Sequence, residues 1–314
     1  MVKNMKIIKC GGSILKNISE RIKLYKYIKS LDEKVVLVVS AFDDCPYSTK
    51  ELSSLLKNNY SYEMKQQLIT LGEIISSIRV CNELLNELID ACVIFKEDIG
   101  IYVKTNEKMD SIEKLDNNIL LKNVKEHKVV VVPGFIGINQ DNHLVSLNEN
   151  GSDLTALLIA KMLDEKHVLL YKDVLGLSSI DPNLSFNYKL YKKVSYSLMN
   201  QIVSHGCNII QQDALLVAKE NDIVIDLVYY LNNLHFTKIE KLSNEKVIVF
   251  QINENDIYID GYNNKEKIEN ILLSSNVLFD YVLPCNSYIK IVSSYQNQNL
   301  IINTLHNLYL KGEL

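Results

Sequence analysis

Lysine, aspartate and glycine recur where apolar runs end, in patterns suited to holding an anion. Lys9-Cys10-Gly11-Gly12-Ser13 follows an apolar run. Its glycines would let the backbone approach a phosphate, and its lysine would bring a positive charge. Gly151-Ser152-Asp153 begins an apolar-periodic helix, whose first N–H groups lack intrahelical partners. Both segments predict an anion site, but neither is a Walker A loop, because G-x-x-x-x-G-K-[ST] is missing.

Three further segments place polar groups at the ends of strands or inside a helix. Ser40 closes the run Val38-Val39-Ser40-Ala41, and Thr49 begins the next helical pattern. Leu71-Gly72-Glu73-Ile74-Ile75-Ser76 lies within a long helix, where a glycine costs about 1 kcal/mol relative to alanine and indicates close packing or ligand approach. The third segment, from Tyr171 to Asn183, contains Lys172, Asp173, Gly176 and Asp181. Read alone, Ser40 would be the polar end of a strand, and Glu73 would lie on a solvated helix face.

Short strand-like runs alternate with longer helical patterns from Lys6 to about Leu234. The strands are rich in Val and Ile without strict alternation, which is typical of a sheet covered on both faces. We therefore expect a three-layer α/β sandwich with a mainly parallel sheet, spanning residues 1–240. The predicted strands are Met5–Lys9, Lys34–Ser40, Cys92–Phe95, Lys128–Val132, His167–Tyr171 and Ile223–Val228. The predicted helices are Ile18–Leu31, Thr49–Asn58, Tyr62–Glu87, Leu154–Leu163, Tyr196–Ser204 and Ile209–Glu220.

The pattern changes near residue 244 and predicts a small α+β domain over 245–314. Strand-like residues 246–260, with a turn at Asn253-Glu254-Asn255, precede a helix at Lys265–Leu273. Strands at Val277–Val282 and Tyr288–Ser293 and a helix at Leu300–Leu310 follow. This order is typical of a ferredoxin-like fold.

Taken in order, these motifs resemble those of the aspartokinases in the amino-acid kinase family. Gly134-Phe135-Ile136-Gly137 and Gly151-Ser152-Asp153 match G-F-x-G and G-S-D, and residues 172–182 match the D-V-x-G…D-P segment. The tail is similar to an ACT domain. The resemblance implies that ATP, with Mg²⁺, phosphorylates L-aspartate to 4-phospho-L-aspartate, the first step towards lysine, threonine and methionine.

The resemblance also implies a role for each matching residue. Lys9 and Asp153 would be catalytic: Lys9 on the transferring phosphoryl group, and Asp153 orienting Lys9 or the magnesium shell. The nucleotide would contact Gly11, Gly12, Ser13, Gly151, Ser152, Lys172, Asp173, Gly176 and Asp181. The amino acid would contact Ser40, Thr49, Glu73 and Ser76. No protein-bound metal site is expected, because Mg²⁺ would be held by ATP phosphates and water.

The chain departs from the aspartokinase pattern at several positions. Asn148-Glu149 stands where the family has Gly-Arg, and that arginine binds a substrate carboxylate. Ile74, Asn208 and Gln211 also replace family residues. Two alternatives therefore remain open: a related kinase with a different acceptor, or a non-catalytic regulatory homologue. A basic residue elsewhere, Lys50 or Arg79, could supply the missing charge.

Composition excludes several classes of protein. The 314 residues are 47% hydrophobic and 23% charged, and the net charge of −4 gives no reason to expect nucleic acid or a membrane as a partner. No apolar run approaches the length of a membrane span. The six cysteines form no C-x-x-C pair, so we expect reduced thiols in the cytoplasm. We also expect a homodimer, with the ACT-like domain serving dimerisation without feedback control.

Overall fold

The computed structural model describes residues 4–56, 60–104, 111–147, 151–230 and 234–314, apart from the side chains of 234–236. Numbered along the chain, the strands are β1 (Met5–Cys10), β2 (Lys34–Val39), β3 (Ala91–Val93), β4 (Ile101–Lys104), β5 (Ser111–Leu115), β6 (Val129–Pro133), β7 (Ile136–Ile138), β8 (Leu144–Ser146), β9 (His167–Lys172), β10 (Lys193–Ser195), β11 (Val224–Tyr229), β12 (Leu234–Glu240), β13 (Val249–Asn253), β14 (Asp256–Asp260), β15 (Tyr281–Pro284) and β16 (Tyr288–Val292).

The helices are α1 (Gly12–Leu15), α2 (Ile18–Ser30), α3 (Thr49–Ser54), α4 (Tyr62–Asn86), α5 (Asn118–Glu126), α6 (Ser152–Leu163), α7 (Tyr196–Ser204), α8 (Gln212–Glu220), α9 (Lys265–Ser274) and α10 (Tyr295–Leu310). Contacts divide the chain into two units. Unit 1 contains the chain up to Val174 and Asp213–His235, and unit 2 contains Leu175–Gln212 and Phe236–Leu314. The domain division at 240/245 stays a prediction. Within the described residues, no helix has the length and apolarity needed to cross a membrane.

Unit 1 is built on six parallel strands in the order β11-β9-β1-β2-β6-β3. Alternate residues of these strands, such as Ile8, Leu37 and Val131, join a core formed with α1, α2 and α4. Their neighbours, such as Ile7 and Val36, are also fully buried, and α5 and α6 pack on the same strands. Because both faces are covered, the strands need apolar residues at every position. The predicted three-layer α/β architecture is confirmed.

A second sheet of unit 1 was missed by the sequence analysis. Its strand order is β5-β4-β7-β8, with antiparallel pairs at both ends and a parallel pair between β4 and β7. Strand β8 packs against α4. The strands have only three to five residues each, which is too short to give a clear period in the sequence.

Unit 2 contains an antiparallel sheet in the order β13-β14-β16-β15, with α9 and α10 packed against a core of isoleucines such as Ile257 and Ile289. The strand predicted at Val277–Val282 begins only at Tyr281. Val277 instead closes α9, because its N–H donates to the Leu272 carbonyl after Asn276 adopts a φ of 53°. Unit 2 also contains α7 and a parallel pair of β10 and β12.

Candidate active site

Three parallel neighbours of unit 1 end at the same edge of the sheet. Lys9 of β1 pairs with Val38 of β2 and with Leu170 of β9. The carboxyl ends of these strands therefore bring Lys9, Ser40 and Lys172 towards one place. Helix α6 begins nearby, because Ser40 Oγ donates to Ser152 Oγ at 2.9 Å.

Asp153, in the first turn of α6, bridges two lysines from different strands. Its Oδ1 lies 2.9 Å from Lys9 Nζ, and its Oδ2 lies 2.9 Å from Lys172 Nζ. The aspartate is only 2% exposed, and both lysine side chains are largely buried. Counted by itself, this bridge has two cations against one anion beside a helix N-terminus, and Asp43 and Asp173 act on the same lysines from outside it. A phosphate group would complete the pairing.

The ionisation of this bridge follows from burial and mutual attraction. Burial alone would raise the pKa of the Asp153 carboxyl, but Lys172 and Lys9 outweigh it and hold the pKa below its usual range. Burial lowers the pKa of Lys172, assisted by Lys9 and opposed by Asp153 and Asp173. The carboxylate therefore stays charged at neutral pH and fixes both ammonium groups.

The glycine segment after β1 leaves no room for a side chain at Gly12. Gly11 precedes the first turn of α1, and Ser13 lies in that turn. A Cβ on Gly12 would lie 2.2 Å from the Ala41 carbonyl oxygen and 2.6 Å from Asp43 Oδ1. The turn after β2 can therefore pack against this segment only if residue 12 is glycine. The same turn is linked to it by a hydrogen bond from Asp43 N–H to the Gly12 carbonyl.

Glu73 lies on the inner face of α4 with an unpaired oxygen. The residue is 3% exposed, and its Oε2 has no hydrogen-bond partner within the described part of the chain. Burial raises the pKa of Glu73 to about 7, although the Ala41 N–H and the charge of Lys9 favour the ionised form. A buried carboxyl group with a free oxygen beside a lysine can accept an ammonium group from a ligand.

The other residues predicted to contact the amino acid have local partners. Ser76 Oγ, fully buried, accepts the Phe42 N–H at 3.0 Å and so anchors the turn after β2. Thr49 is the first residue of α3, whose preceding residue Ser48 caps the helix by accepting the Glu51 N–H. Their predicted substrate roles stay predictions.

The turn after β2 is held by two arginines, of which Arg21 is buried and Arg79 is half exposed. Arg21 donates to both oxygens of Glu83, at 2.6 and 2.9 Å, and Arg79 donates to the same carboxylate at 3.1 Å. Their guanidinium carbons lie 4.7 and 5.3 Å from the centre of the Phe42 ring. Arg79 also donates to the Tyr47 hydroxyl. Arg79 is thus engaged in the scaffold of the site, and Lys50 is exposed on α3.

Predicted nucleotide residues fall in both units. Gly151 precedes α6 and Asp173 is exposed just after β9, both in unit 1. Gly176 and Asp181 belong to unit 2. Gly176 has a φ of 124°, which disfavours any other residue, and Asp181 Oδ1 accepts the Asn183 N–H in a local turn. The Asn148-Glu149 pair lies outside the described residues.

Two charged residues beside the glycine segment were missed by the sequence analysis. Asp43 lies against Gly12, as described above. Lys16, which ends α1, forms an ion pair of 2.7 Å with Asp44. Asp43 and Asp173 also act on Lys16 and, with Asp44, raise its pKa. Its position one turn beyond a glycine segment was the available signal. No group of three or more His, Cys, Asp or Glu residues in the described ranges is arranged to hold a metal ion.

Curated aspartokinases are similar to this chain in sequence. An aspartokinase of Rickettsia felis is 29% identical over 217 residues, covering 67% of this chain and 54% of that protein. Aspartokinase 1 of Bacillus subtilis is 28% identical over 231 residues, covering 70% of this chain and 57% of that protein. The chain thus spans about half the length of the curated relatives it matches.

Solved structures share the fold at lower identity. Escherichia coli aspartokinase III in complex with aspartate and ADP superposes with a TM-score of 0.70 at 17% identity, covering 94% of this chain and 80% of that one. The uridylate kinase of Archaeoglobus fulgidus superposes with a TM-score of 0.53 at 20% identity, covering 75% of this chain and 100% of that one. Residues 4–228 match the amino acid kinase family. The chain therefore belongs to the amino acid kinase family.

Proposed function

We propose that this chain transfers the γ-phosphoryl group of ATP to the side-chain carboxylate of an amino acid, with L-aspartate as the first acceptor. The observation that carries the proposal is the buried bridge from Lys9 through Asp153 to Lys172. Its uncompensated positive charge suits the phosphate oxygens of a nucleotide. The similarity to aspartokinases supports a carboxylate as the acceptor.

The reaction requires two anions to be held in line. An acceptor carboxylate oxygen attacks the γ-phosphorus, and the bond from that phosphorus to the bridging oxygen of ADP breaks, giving ADP and an acyl phosphate. In this proposal Lys9 and Lys172 hold the phosphoryl oxygens, and Asp153 keeps both ammonium groups in place. The Gly11-Gly12 backbone approaches the phosphates. Mg²⁺, held by ATP phosphates and water, would add positive charge.

Glu73 carries the proposed recognition of the amino acid. Its unpaired oxygen and raised pKa describe a group that gains a partner when a substrate ammonium binds. Binding would then stabilise the ionised carboxylate. Ser40, linked to the start of α6, would align the acceptor with the phosphoryl group.

The decisive assay traps acyl phosphate as the hydroxamate, with aspartate and Mg-ATP. The proposal expects product from the wild type and about 10²- to 10³-fold slower product formation from Lys9→Ala. If aspartate gives no product, thermal-shift measurements with an ATP analogue and other amino acids follow. Stabilisation by another amino acid would make that amino acid the proposed acceptor in place of aspartate. The hydroxamate assay with that amino acid would test the assignment. Absence of product with every acceptor would support a non-catalytic homologue and overturn the proposal.

We further propose that residues 1–240 form the kinase domain and residues 245–314 an ACT-like domain used for dimerisation rather than feedback. The antiparallel sheet of β13 to β16 with two helices supports the second part. Turnover measured with added lysine or threonine tests it. Inhibition by either amino acid would contradict the proposal.

A further inference from the structure

Residues 177–191 form a closed loop of unit 2, here called the 177–191 loop. Its two arms are joined at Ser179, whose N–H donates to the Lys189 carbonyl at 2.8 Å and whose Oγ accepts the Lys189 N–H at 2.9 Å. The loop begins directly after Gly176 and contains Asp181, two residues predicted to contact the nucleotide. The contacts that hold this loop therefore bear on the proposed nucleotide site.

Helix α10 contacts both arms of the loop through side chains, within the same unit. His306 Nε2 lies 2.8 Å from Ser179 Oγ, and the Tyr309 hydroxyl lies 2.9 Å from the Tyr191 hydroxyl. His306 and Tyr309 are three residues apart and so lie on one face of the helix. Both rings pack on Phe250 of β13, with centroids 5.2 and 5.7 Å from its own. Two side chains of one helix thus hold the two arms of the loop.

The hydrogen bond between Ser179 and His306 runs from the hydroxyl to the ring. Because Ser179 Oγ already accepts the Lys189 N–H, its own hydrogen can be donated to Nε2. Burial lowers the pKa of His306 to about 4, so the ring is neutral at neutral pH and Nε2 can accept. Ser179 is fully buried and His306 is 1% exposed, so removing the imidazole would leave the hydroxyl without an acceptor and without water.

The second ring nitrogen distinguishes His306 from an ordinary core residue. With Nε2 accepting, Nδ1 carries the proton, and this atom is buried without a hydrogen-bond partner among the described residues. A buried unpaired N–H is unfavourable, and a leucine would fill the same space without it. The packing of unit 2 therefore does not require an imidazole at this position, whereas the 177–191 loop uses its acceptor.

We propose that His306 is a positioning residue for nucleotide binding: with Tyr309, it holds the 177–191 loop in the arrangement that receives ATP. This inference rests on the proposed function, in which the loop contacts the nucleotide. A loop that already has its binding arrangement does not have to be ordered when the ligand arrives, which favours affinity. Because His306 is buried and touches no reacting atom, it acts on nucleotide affinity and leaves the phosphoryl transfer step unchanged.

Binding of Mg-ADP to the full chain, measured by isothermal titration calorimetry without an acceptor, tests the inference directly. His306→Leu fills the space but accepts no hydrogen bond, and we expect Kd to rise about tenfold, as when the loop has its binding arrangement about a tenth of the time. His306→Gln places an amide oxygen near the position of Nε2 and should restore Kd to within about threefold of the wild type. The matched control, Leu272→Ala, removes packing from α9 in the core that contains Phe250 and should leave Kd unchanged.

A double-variant cycle identifies the hydrogen bond itself. Ser179→Ala removes the same bond from the loop side and should raise Kd as much as His306→Leu does. The double variant should bind ADP no more weakly than either single variant, because both changes remove one interaction. Additive effects, or an equal loss of affinity in Leu272→Ala, would overturn the role of this bond. Circular dichroism checks folding, and Ser179→Ala alone decides the question if His306→Leu does not fold.

Kinetics separate positioning of the nucleotide from a general loss of stability. In the hydroxamate assay, His306→Leu should raise KM for ATP about tenfold and change kcat and the KM for the acceptor less than about twofold. Equal Kd for ADP in the wild type and His306→Leu, or a loss confined to kcat, would overturn the inference and leave the proposed function standing. A wild type that binds no ADP would overturn both.

Discussion

Asp153 of unit 1 and Asp260 of unit 2 are both buried, and they are satisfied in different ways. Asp153 in unit 1 meets two ammonium groups and leaves a net positive charge. Asp260 in unit 2, fully buried, accepts from the side-chain amides of Gln201 and Gln251 and lies 2.8 Å from His205 Nδ1. The bridge around Asp153 has one positive charge in excess, which a further anion could pair with. Asp260 has enough donors for its carboxylate without any ligand.

The surroundings of Asp260 indicate a structural role. Gln251 also donates to the Ile202 carbonyl at 3.0 Å, and the His205 ring stacks on Tyr258 with centroids 4.1 Å apart. These contacts tie α7 and its end to β13 and β14 within unit 2. A buried charged cluster is a candidate ligand site when its members leave an excess charge, as the two lysines around Asp153 do.

The largest expected effect comes from removing one of the two cations. Lys9→Ala should lower kcat for hydroxamate formation by about 10²- to 10³-fold, because it removes a charge aimed at the transferring phosphoryl group. Lys6→Ala is the matched control on the same strand, where Lys6 pairs with Glu33 at the surface. It should change kcat less than twofold. A loss below tenfold for Lys9→Ala would place Asp153 and its lysines outside the chemistry.

Replacing each aspartate by asparagine distinguishes the environment of Asp153 from that of Asp260. Asp153→Asn should reduce the free energy of unfolding by about 3–5 kcal/mol, because two lysines lose their counter-ion. Inorganic phosphate or ADP should restore more stability to this variant than it adds to the wild type. Asp260→Asn should cost about 1–3 kcal/mol with no such response. Denaturant titrations with and without phosphate measure the free energy of unfolding of both variants. Equal stabilisation of the two variants by phosphate would contradict the proposed difference between Asp153 and Asp260.

Glu73 should give stability the opposite pH dependence to Asp153. Because its folded-state pKa is raised to about 7, its contribution is full below about pH 4, the usual range for a free carboxyl. The contribution is lost as pH rises through about 7, a change of about 3 kcal/mol. The pKa of Asp153 is lowered, so its contribution is present above about pH 4 and is lost only in stronger acid.

Glu73→Gln tests this prediction by denaturant titration at pH 5 and pH 7.5 without ligands. The variant should lose most of the stability change between these values. Glu126→Gln, an exposed glutamate of α5, should retain it. The same slope in Glu73→Gln and the wild type would contradict the assignment.

The smallest expected effect concerns hydroxyl groups. Ser40→Ala removes the hydrogen bond to Ser152 at the start of α6. Its loss should cost about 1 kcal/mol and raise KM for the acceptor less than tenfold. Ser287→Ala is the counterpart in unit 2, where the hydroxyl donates to Gln201 beside Asp260. It should leave every kinetic constant unchanged, and a matching rise in KM would contradict the separation of the two regions.

Much of the large sheet could be predicted because its strands carry their own signal. Runs of Val and Ile such as Lys34–Val39 are apolar at successive positions, which occurs where both faces are covered. The sheet β5-β4-β7-β8 could not, since exposed Ser111–Leu115 has no apolar period. Its pairing with β4 is decided by contacts distant in sequence.

The candidate site also has features that the sequence predicted and features that it did not. The order of Lys9, Gly12 and Asp153 along the chain predicted an anion site, because glycine and a helix start have known effects on local backbone. The partnership of Lys172 with Asp153 was not predicted, and neither was the packing of Asp43 against Gly12. Contacts of the latter kind depend on how strand ends and turns meet.

The sequence by itself determined the layers of unit 1 and the anion-binding segments, since strand periodicity, glycine and helix starts act through neighbouring residues. Only the tertiary structure decided which buried charges are balanced. Asp153 and Asp260 are each one aspartate in the sequence, and nothing local tells them apart. They differ because folding surrounds the first with two distant lysines and the second with amides and a histidine.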